Sequence, residues 1–437
     1  MQANTLPKVL QRFAKNGSRT MTEPLDLAGL IQAGDRIAWS GVALEPLRLL
    51  EIFESQLDRV PSGVSTLLNI SITNAIDAEA LTKALKVVTI GGSVTHRRFQ
   101  DAGGFDVLPV NYSVLPELVS SGALRLDCVF LQVAPSGGAY NHSLMVDCLA
   151  DAVSNARVVV AEVNDQLPVT FGDTSIAAHD VDHVVHVSRP ALEVTSRPAR
   201  DLETEIGRHV SRLIRDGDTL EVGLGSLPDA VLECLHDKRD LGVHSGTIGD
   251  RVVELTEAGI ITNAKKPIDT GKCITATLLG TQKLYRWAHE NPLLEVRSPR
   301  YTHDIAVHAQ VPNLVGVNSV LEVDLTGQFN SETLGGRHVG VIGGQSDFMR
   351  GAIRSPGGRN IVVMESTARR GSVSRISASL SDGVVTATRA NADFIVTEYG
   401  IAELRGRTLQ ERATALIAIA HPDFRRQLQD TLDQGLV

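Results

Sequence analysis

The stretch DTLEVGLGSLPDAVLECLHDKRDLGVHSG, residues 218–246, decides the fold. A β-compatible run at 220–222 leads into a turn with Gly223 and Gly225, and the apolar spacing that follows is typical of an amphipathic helix. A second short apolar run ends at His244-Ser245-Gly246. In open α/β sheets, ligands bind beyond the carboxyl ends of the strands, where glycine turns allow close approach. We therefore expect functional groups at 221–225 and at 244–246.

An internal repeat divides the chain into two related halves. Residues 30–51, LIQAGDRIAWSGVALEPLRLLE, match residues 213–233, LIRDGDTLEVGLGSLPDAVLE, once one residue is dropped before the glycine. A later echo pairs ARVVVAEVND at 156–165 with RNIVVMESTA at 359–368. The apolar runs are continuous rather than alternating, which is typical of parallel strands covered on both faces. We predict two doubly wound α/β domains, at residues 1–190 and 200–437, joined through a proline-containing segment near 188–201.

Composition excludes several classes of function. The chain has 437 residues and a net charge of −9, which argues against broad nucleic-acid binding, so basic residues must act locally on a small anionic ligand. No apolar run approaches the ~20 residues of a membrane span, so no membrane association is expected. Four dispersed cysteines without a CxxC motif predict a reducing, cytoplasmic location without disulfides or a zinc site.

The first 22 residues contain four basic side chains and no acidic one: Lys8, Arg12, Lys15 and Arg19. A mitochondrial targeting peptide shows the same bias. We favour a surface helix that belongs to the mature protein.

Two further motifs carry polar chemistry. GGQSDFMRGA, residues 343–352, places adjacent glycines where backbone N–H groups are free to meet an oxyanion. Within it, Arg350 is expected to pair with Asp347 rather than with a ligand. Upstream, the motif NSVLEVDLTGQ at 318–328 begins with Asn318. We interpret Asn318 as the start of a strand, where its side chain is either structural or a hydrogen-bond donor to a carbonyl oxygen.

These motifs together resemble a known family. The resemblance is carried by AEVNDQLPVTFGD (161–173), LEVGLGSLPDAVL (220–232), NSVLEVDLTGQ, GGQSDFMRGA and VTEYGIAELRGRTLQERATALIAIAHPDFR (396–425). The sequence resembles the acetyl-CoA hydrolase/transferase group of class I CoA-transferases, which includes 4-hydroxybutyrate CoA-transferase-like proteins. The resemblance implies two similar α/β domains with the active site between them, coenzyme A as the thioester carrier, an acyl-CoA substrate and a homodimer or larger homo-oligomer.

The resemblance also implies roles for particular residues. In the family a glutamate attacks the acyl-CoA and passes through a glutamyl-CoA thioester. The groups surrounding the thioester and its oxyanion would be Gly223, Gly225, Asn318, Gly343, Gly344 and Gln345.

One departure from the family pattern decides the mechanism. The family's nucleophile lies in a His-Ser/Thr-Glu pattern, and here that pattern is His244-Ser245-Gly246, which has no carboxylate. Glu221 stands where the family commonly has glutamine. We predict that Glu221 performs acid/base work in the same cavity, with a pKa raised by burial. The alternative is a solvated or salt-bridged strand-end residue.

The remaining candidates have weaker support from the sequence. His244 would assist proton transfer or be satisfied by backbone groups, and Glu398 would line the cleft or pair with Arg405. His303, His308 and His338 lack metal-site spacing, so no metal is expected.

Three functions follow from this pattern. The first is a hydrolase or lyase acting on a CoA thioester through Glu221. The second is a CoA-transferase that uses another carboxylate, and the third is a catalytically silent acyl-CoA-binding protein.

Overall fold

The computed structural model describes residues 25–93, 95–223 and 225–435. The prediction for the basic N-terminus, whether surface helix or targeting peptide, falls outside these residues. Two large sheets, each flanked by helices, make up the fold.

The first sheet contains nine strands and belongs to the first half of the chain. They are β1 Arg36–Trp39, β2 Ser65–Leu68, β3 Lys86–Thr89, β4 Asp106–Val107, β5 Cys128–Ser136, β6 Ala139–Asn141, β7 Val158–Asn164, β8 Ser175–Ile176 and β9 His183–Val187. The order β4-β3-β2-β1-β5-β7-β9 is parallel throughout. Strands β6 and β8 extend antiparallel from the end of β5.

The strands of the second half are β10 Thr219–Val222, β11 Gly242–Ile248, β12 Cys273–Leu278, β13 Leu294–Val296, β14 Leu314–Ser319, β15 Glu322–Asp324, β16 Phe329–Asn330, β17 Thr333–Leu334, β18 Arg337–His338, β19 Arg359–Val363, β20 Thr367–Ala368, β21 Val373–Ser374, β22 Ile376–Ser377, β23 Phe394–Thr397 and β24 Gly400–Glu403. The second sheet contains eight of them in the order β13-β12-β11-β10-β14-β19-β23-β24, and only the last pair is antiparallel. The other strands form small sheets, β16-β15-β22, β17-β18 and β20-β21.

Helices connect the parallel strands on both faces of each sheet. They are α1 Leu27–Leu30, α2 Leu47–Glu54, α3 Ala78–Ala84, α4 Arg97–Asp101, α5 Leu115–Ser120, α6 Cys148–Val153, α7 Asp201–Ser211, α8 Ser226–Glu233, α9 Asp250–Glu257, α10 Gln282–Ala288, α11 Pro299–Thr302, α12 Ile305–His308, α13 Gln345–Arg354, α14 Leu409–Ala418 and α15 Pro422–Asp433. The seven parallel strands of each sheet run in the same order, β4-β3-β2-β1-β5-β7-β9 in one and β13-β12-β11-β10-β14-β19-β23 in the other. The predicted fold class of two related α/β units is therefore confirmed.

The repeat extends to buried ion pairs. In each half an aspartate immediately precedes the first strand of the large sheet: Asp35 precedes β1, and Asp218 precedes β10. An arginine at the start of a later strand forms an ion pair with it. The arginines are Arg157, before β7, and Arg359, which opens β19. Each pair ties the amino ends of non-adjacent strands together.

The two halves pack on each other through backbone as well as side chains. Leu144 accepts a hydrogen bond at 2.7 Å from Leu278 N, and Val146 N donates to Ala276 O at 2.9 Å. Arg300 donates to the carbonyl of Pro116 and to Asp151 in the first half. Residues 188–200 between the halves contain no helix or strand, and the exact boundary near them stays a prediction.

Candidate functional site

A cavity of about 350 Å³ opens between the two halves, beyond the carboxyl ends of β10 and β14. We call it the central cavity. The first half contributes a mainly apolar wall that contains Val42, Ile70, Ile72, Ile90 and Met145. The second half contributes most of the polar groups and the glycine turns. An adjoining cavity of about 400 Å³ shares Val222, Gly223, Thr247 and Leu279 with it.

Glu221 is the carboxylic acid that lines the central cavity. It lies near the end of β10, only 4% exposed, and pairs in register with Gly316 on β14. A Cβ on Gly316 would stand 3.3 Å from Glu221 Oε2, so the glycine leaves room for the carboxyl group. Asn318 Nδ2 donates a hydrogen bond to Glu221 Oε2 at 2.7 Å. Within the described part of the chain Glu221 forms no salt bridge, and its side chain is buried at the strand end rather than solvated.

The environment of Glu221 favours its neutral form. Burial raises the pKa of Glu221 to about 8, and the hydrogen bond from Asn318 opposes this rise only in part. Desolvation penalises a carboxylate because water no longer solvates its charge. The sequence-based prediction of a raised pKa therefore agrees with the geometry, and the group titrates close to neutral pH.

Glycine turns from separate motifs border the same cavity. Gly343 has φ +55°, a left-handed conformation that favours glycine, and it precedes α13. Helix α13 starts after Gly344 without a side-chain cap, and Gln345 at its first turn also lines the cavity. An uncapped helix start presents free N–H groups and positive partial charge. This end of the cavity suits an oxyanion or a carbonyl oxygen.

Most of the sequence-predicted site residues meet at this cavity. Those that line it are Glu221, Gly223, Gly246, Asn318, Gly343, Gly344 and Gln345. Gly225 lines the adjoining cavity instead. Asn318 lies near the carboxyl end of β14 and not at a strand start, which explains why its amide reaches the cavity.

His244 and Glu398 lie outside the central cavity. His244 is fully buried, its Nε2 is 3.2 Å from the carbonyl oxygen of Thr302, and burial holds its pKa well below the usual range. Glu398 accepts a hydrogen bond at 2.9 Å from Ser366 N. The neutral imidazole of His244, on β11, and the carboxylate of Glu398 thus have their hydrogen-bond partners away from the lining of the central cavity.

The predicted ion pair between Arg350 and Asp347 does not form among the described residues. The pair between Arg405 and Glu398, one of two alternatives for Glu398, does not form there either. Arg405 donates to Asp393 at 2.6 and 2.7 Å and not to Glu398. Asp347 accepts hydrogen bonds from Ser113 N at 3.1 Å and Oγ at 2.7 Å, whereas Arg350 is exposed. Asp347 is buried at the contact between the halves, so it takes the donors that face it there rather than the nearest cation in sequence.

Several residues line the cavity although no feature of the sequence predicts it. Tyr112 and Asn69 reach it from the first half, and His303 and Ser331 from the second. His303 is 3% exposed, and burial lowers its pKa to about 3, so its imidazole is neutral at physiological pH. No periodicity marks these residues, because their position depends on how the two halves dock.

Comparison with known proteins agrees with this architecture. The model of the acetyl-CoA hydrolase/transferase N-terminal domain matches residues 10–192, and that of the C-terminal domain matches residues 280–432. The 4-hydroxybutyrate coenzyme A transferase of Clostridium kluyveri is 41% identical over 76% of this chain and 78% of its own length. This chain belongs to the acetyl-CoA hydrolase/transferase family. Family members are enzymes that act on CoA thioesters.

Other members of the family show its range. The succinyl-CoA:acetate/propanoyl-CoA:succinate CoA transferase of Fasciola hepatica is 35% identical over 97% of this chain and 88% of its own. An acetyl-CoA hydrolase of Kluyveromyces lactis is 30% identical over 58% of this chain and 48% of its own. The crystal structure of RipA from Yersinia pestis superposes with a TM-score of 0.87 and 31% identity, covering 94% of this chain and 96% of that one. Transferases and hydrolases thus share this family.

Among residues 25–93, 95–223 and 225–435, no group of three or more His, Cys, Asp or Glu side chains has the arrangement of a metal site. No helix in the same residues is long and apolar enough to cross a membrane.

Proposed function

We propose that this protein hydrolyses an acyl-CoA thioester in the central cavity, with Glu221 as the general base. The observation that carries the proposal is a buried carboxyl group that lines the cavity, is held by Asn318 and titrates near neutral pH. A general base works best when its pKa lies near the operating pH. The resemblance to the family places glycine at the position of its usual nucleophile, Gly246, so Glu221 is the carboxylate left to act.

The proposed reaction consumes one water molecule, and Glu221 transfers one proton from that water to the leaving thiolate. Ionised Glu221 removes a proton from the water while the water oxygen bonds to the thioester carbonyl carbon. The carbonyl electrons move to oxygen, and donors around Gly343 and Gly344 stabilise that oxyanion. The tetrahedral intermediate then collapses and its C–S bond breaks. Glu221 returns the proton to the leaving thiolate, so the products are a carboxylic acid and free CoA.

The shape and lining of the cavities support an acyl-CoA substrate. The apolar wall with Val42, Ile70 and Met145 suits a hydrocarbon acyl group, which gains free energy by leaving water. The adjoining cavity, with Arg197 and Arg251 in its lining, continues the same space and suits a longer, polar arm. An extended thioester therefore fits the two cavities better than a compact metabolite does.

Transfer is the second candidate function. The curated relatives named above are mainly CoA-transferases, and Glu221 is the carboxylate that would attack in place of the missing one. This route predicts a Glu221-CoA thioester and exchange of labelled acetate into acyl-CoA. Hydrolysis predicts neither.

The test measures free thiol released from acetyl-CoA and butyryl-CoA without any carboxylate acceptor. We expect release by the native chain and a loss of about 10²-fold or more in kcat for Glu221→Gln, the scale of general acid–base catalysis. Glu398→Gln is the matched control and keeps its turnover, since that side chain binds Ser366 outside the cavity.

Three results would contradict the proposal that Glu221 catalyses hydrolysis. Unchanged thiol release in Glu221→Gln removes the role of Glu221. Labelled exchange together with a CoA adduct on the intact protein establishes transfer. CoA binding with neither release nor exchange establishes a silent binder.

A further inference from the structure

His303 presents an unused hydrogen-bond group to the central cavity. A Cβ built on Gly246 would lie 3.0 Å from His303 Nε2, and one built on Gly344 would lie 2.5 Å from it. Both glycines line the cavity, as His303 does. The imidazole edge therefore lies in the space that a side chain at position 246 would enter. No described residue supplies a hydrogen-bond partner to Nε2.

The ring is held rigidly from three sides. Its centroid lies 5.1 Å from that of Tyr112, which belongs to the first half, and 4.9 Å from that of Phe348 on α13. His303 Nδ1 lies 2.8 Å from Thr302 Oγ1. A polar ring fixed in this way keeps Nε2 at one place in the cavity, as preorganised catalysis requires.

The surroundings of Thr302 assign the tautomer. Its hydroxyl has two acceptors within reach, His303 Nδ1 at 2.8 Å and the Ser298 carbonyl oxygen at 3.3 Å. That carbonyl already accepts N–H groups from Tyr301 at 2.8 Å and Thr302 at 3.0 Å, which occupies both of its lone pairs. We infer that the hydroxyl donates to Nδ1, the shorter of its two contacts. Neutral His303 then carries its own proton on Nε2, directed at the cavity.

We propose that His303 is a second catalytic residue, whose Nε2–H donates a hydrogen bond to the thioester carbonyl oxygen and stabilises the oxyanion that forms there. No proton is transferred, so the imidazole stays neutral throughout the step. The inference rests on the proposed hydrolysis and extends it. Glu221 acts as the general base, and His303 is the hydrogen-bond donor that polarises the thioester carbonyl group. A carboxylate base combined with a neutral imidazole donor is an established catalytic pattern.

The low pKa of His303 fits this role. Burial, with a smaller contribution from the neighbouring His308, lowers this pKa to about 3. An imidazolium would be a stronger donor but would pair with ionised Glu221 and suppress its basicity. Keeping the ring neutral leaves the base and the donor independent of each other.

The test compares His303→Leu, His303→Gln and His338→Leu in thiol release from acyl-CoA. Loss of one oxyanion donor lowers kcat by about 10² to 10³-fold. We expect that loss in His303→Leu, with little change in KM. His303→Gln should recover part of the activity, because its amide group can donate a hydrogen bond. His338→Leu should keep the native turnover. In all three variants the apparent pKa of the rate profile stays where Glu221 sets it.

Two further readouts separate the possible failures. Native-like kcat in folded His303→Leu, together with an inactive Glu221→Gln, overturns the role of His303 and leaves the hydrolysis proposal standing. Native-like thiol release in Glu221→Gln overturns the proposed role of Glu221 as the base, on which this inference rests. If His303→Leu does not fold, the ¹⁵N shifts of the native ring between pH 5 and 9 decide: an Nε2–H tautomer supports the inference and an Nδ1–H tautomer overturns it.

Discussion

Asn318 and Glu221, 97 residues apart in sequence, meet in a hydrogen bond of 2.7 Å between Nδ2 and Oε2. They lie on adjacent parallel strands, β14 and β10, where Glu221 pairs with Gly316 and Val222 with Val317. The amide donates to a carboxyl group that is otherwise desolvated, and it stabilises the ionised form against burial. This pair sets the pH at which the proposed base is available.

The rate of thioester hydrolysis is expected to rise with pH and level off above pH 8. Only ionised Glu221 accepts a proton, and its pKa of about 8 leaves about a tenth of the molecules ionised at pH 7. A profile of kcat/KM between pH 5.5 and 9.5 measures this. A flat profile over that range would show that another group controls the rate.

Asn318→Ala is expected to move the same profile to higher pH. The amide lowers the pKa of Glu221, so its removal raises that pKa and reduces the rate most at low pH. The expected pattern is a large deficit at pH 6.5 that shrinks at pH 9.5. An equal deficit at both values would indicate that Asn318 acts on the substrate alone.

Stability should also depend on the titration of Glu221. Its pKa is about 8 in the folded chain against a model value of 4.5, so between these values the folded chain retains a proton that the unfolded chain releases. The free energy of unfolding therefore falls as pH rises through this window, and Glu221→Gln removes that loss. Thermal unfolding at pH 5 and pH 9 should show a gain in Tm for the variant that is larger at pH 9. A gain of the same size at both pH values would contradict the assigned titration.

Gly246→Glu is expected to destabilise the fold by about 1 to 3 kcal/mol, the usual cost of overpacking. The added Cβ would lie 3.0 Å from His303 Nε2 and 3.4 Å from Phe348 Cε2. His303→Ala should relieve the clash, so the double variant loses less stability than the two single losses combined. Chemical denaturation of the four chains measures the coupling. Strict additivity would mean that the two side chains do not compete for space.

Arg359→Met is expected to cost about 3 to 5 kcal/mol, because it leaves buried Asp218 without its partner. Arg350→Met serves as the control and stays within about 0.5 kcal/mol, since Arg350 is exposed. Equal effects in the two variants would show that the buried pair does not hold the strands together.

The sequence predicted the strands and the repeat well, because strands covered on both faces leave continuous apolar runs such as that of β7. The resemblance to the family, and not the strand pattern, predicted that the turn at 343–344 lies beside Glu221. That turn follows the short antiparallel hairpin of β17 and β18 rather than a strand of the large parallel sheet. The sequence predicted the wrong partner for Arg350, and one of its two alternatives for Glu398 was a pair with Arg405 that does not form. Proximity in sequence does not say which partner is buried. His303 was missed for a similar reason: its place is set by Tyr112 of the other half and by the space left at Gly246.

A crystal structure of the chain with a non-hydrolysable acyl-CoA analogue tests the central claim most directly. The account predicts the analogue's carbonyl oxygen within hydrogen-bond reach of His303 Nε2 or the 343–345 turn, with one water between its carbonyl carbon and Glu221. A carbonyl group bound outside the central cavity, or a different carboxylate facing it, would contradict the account.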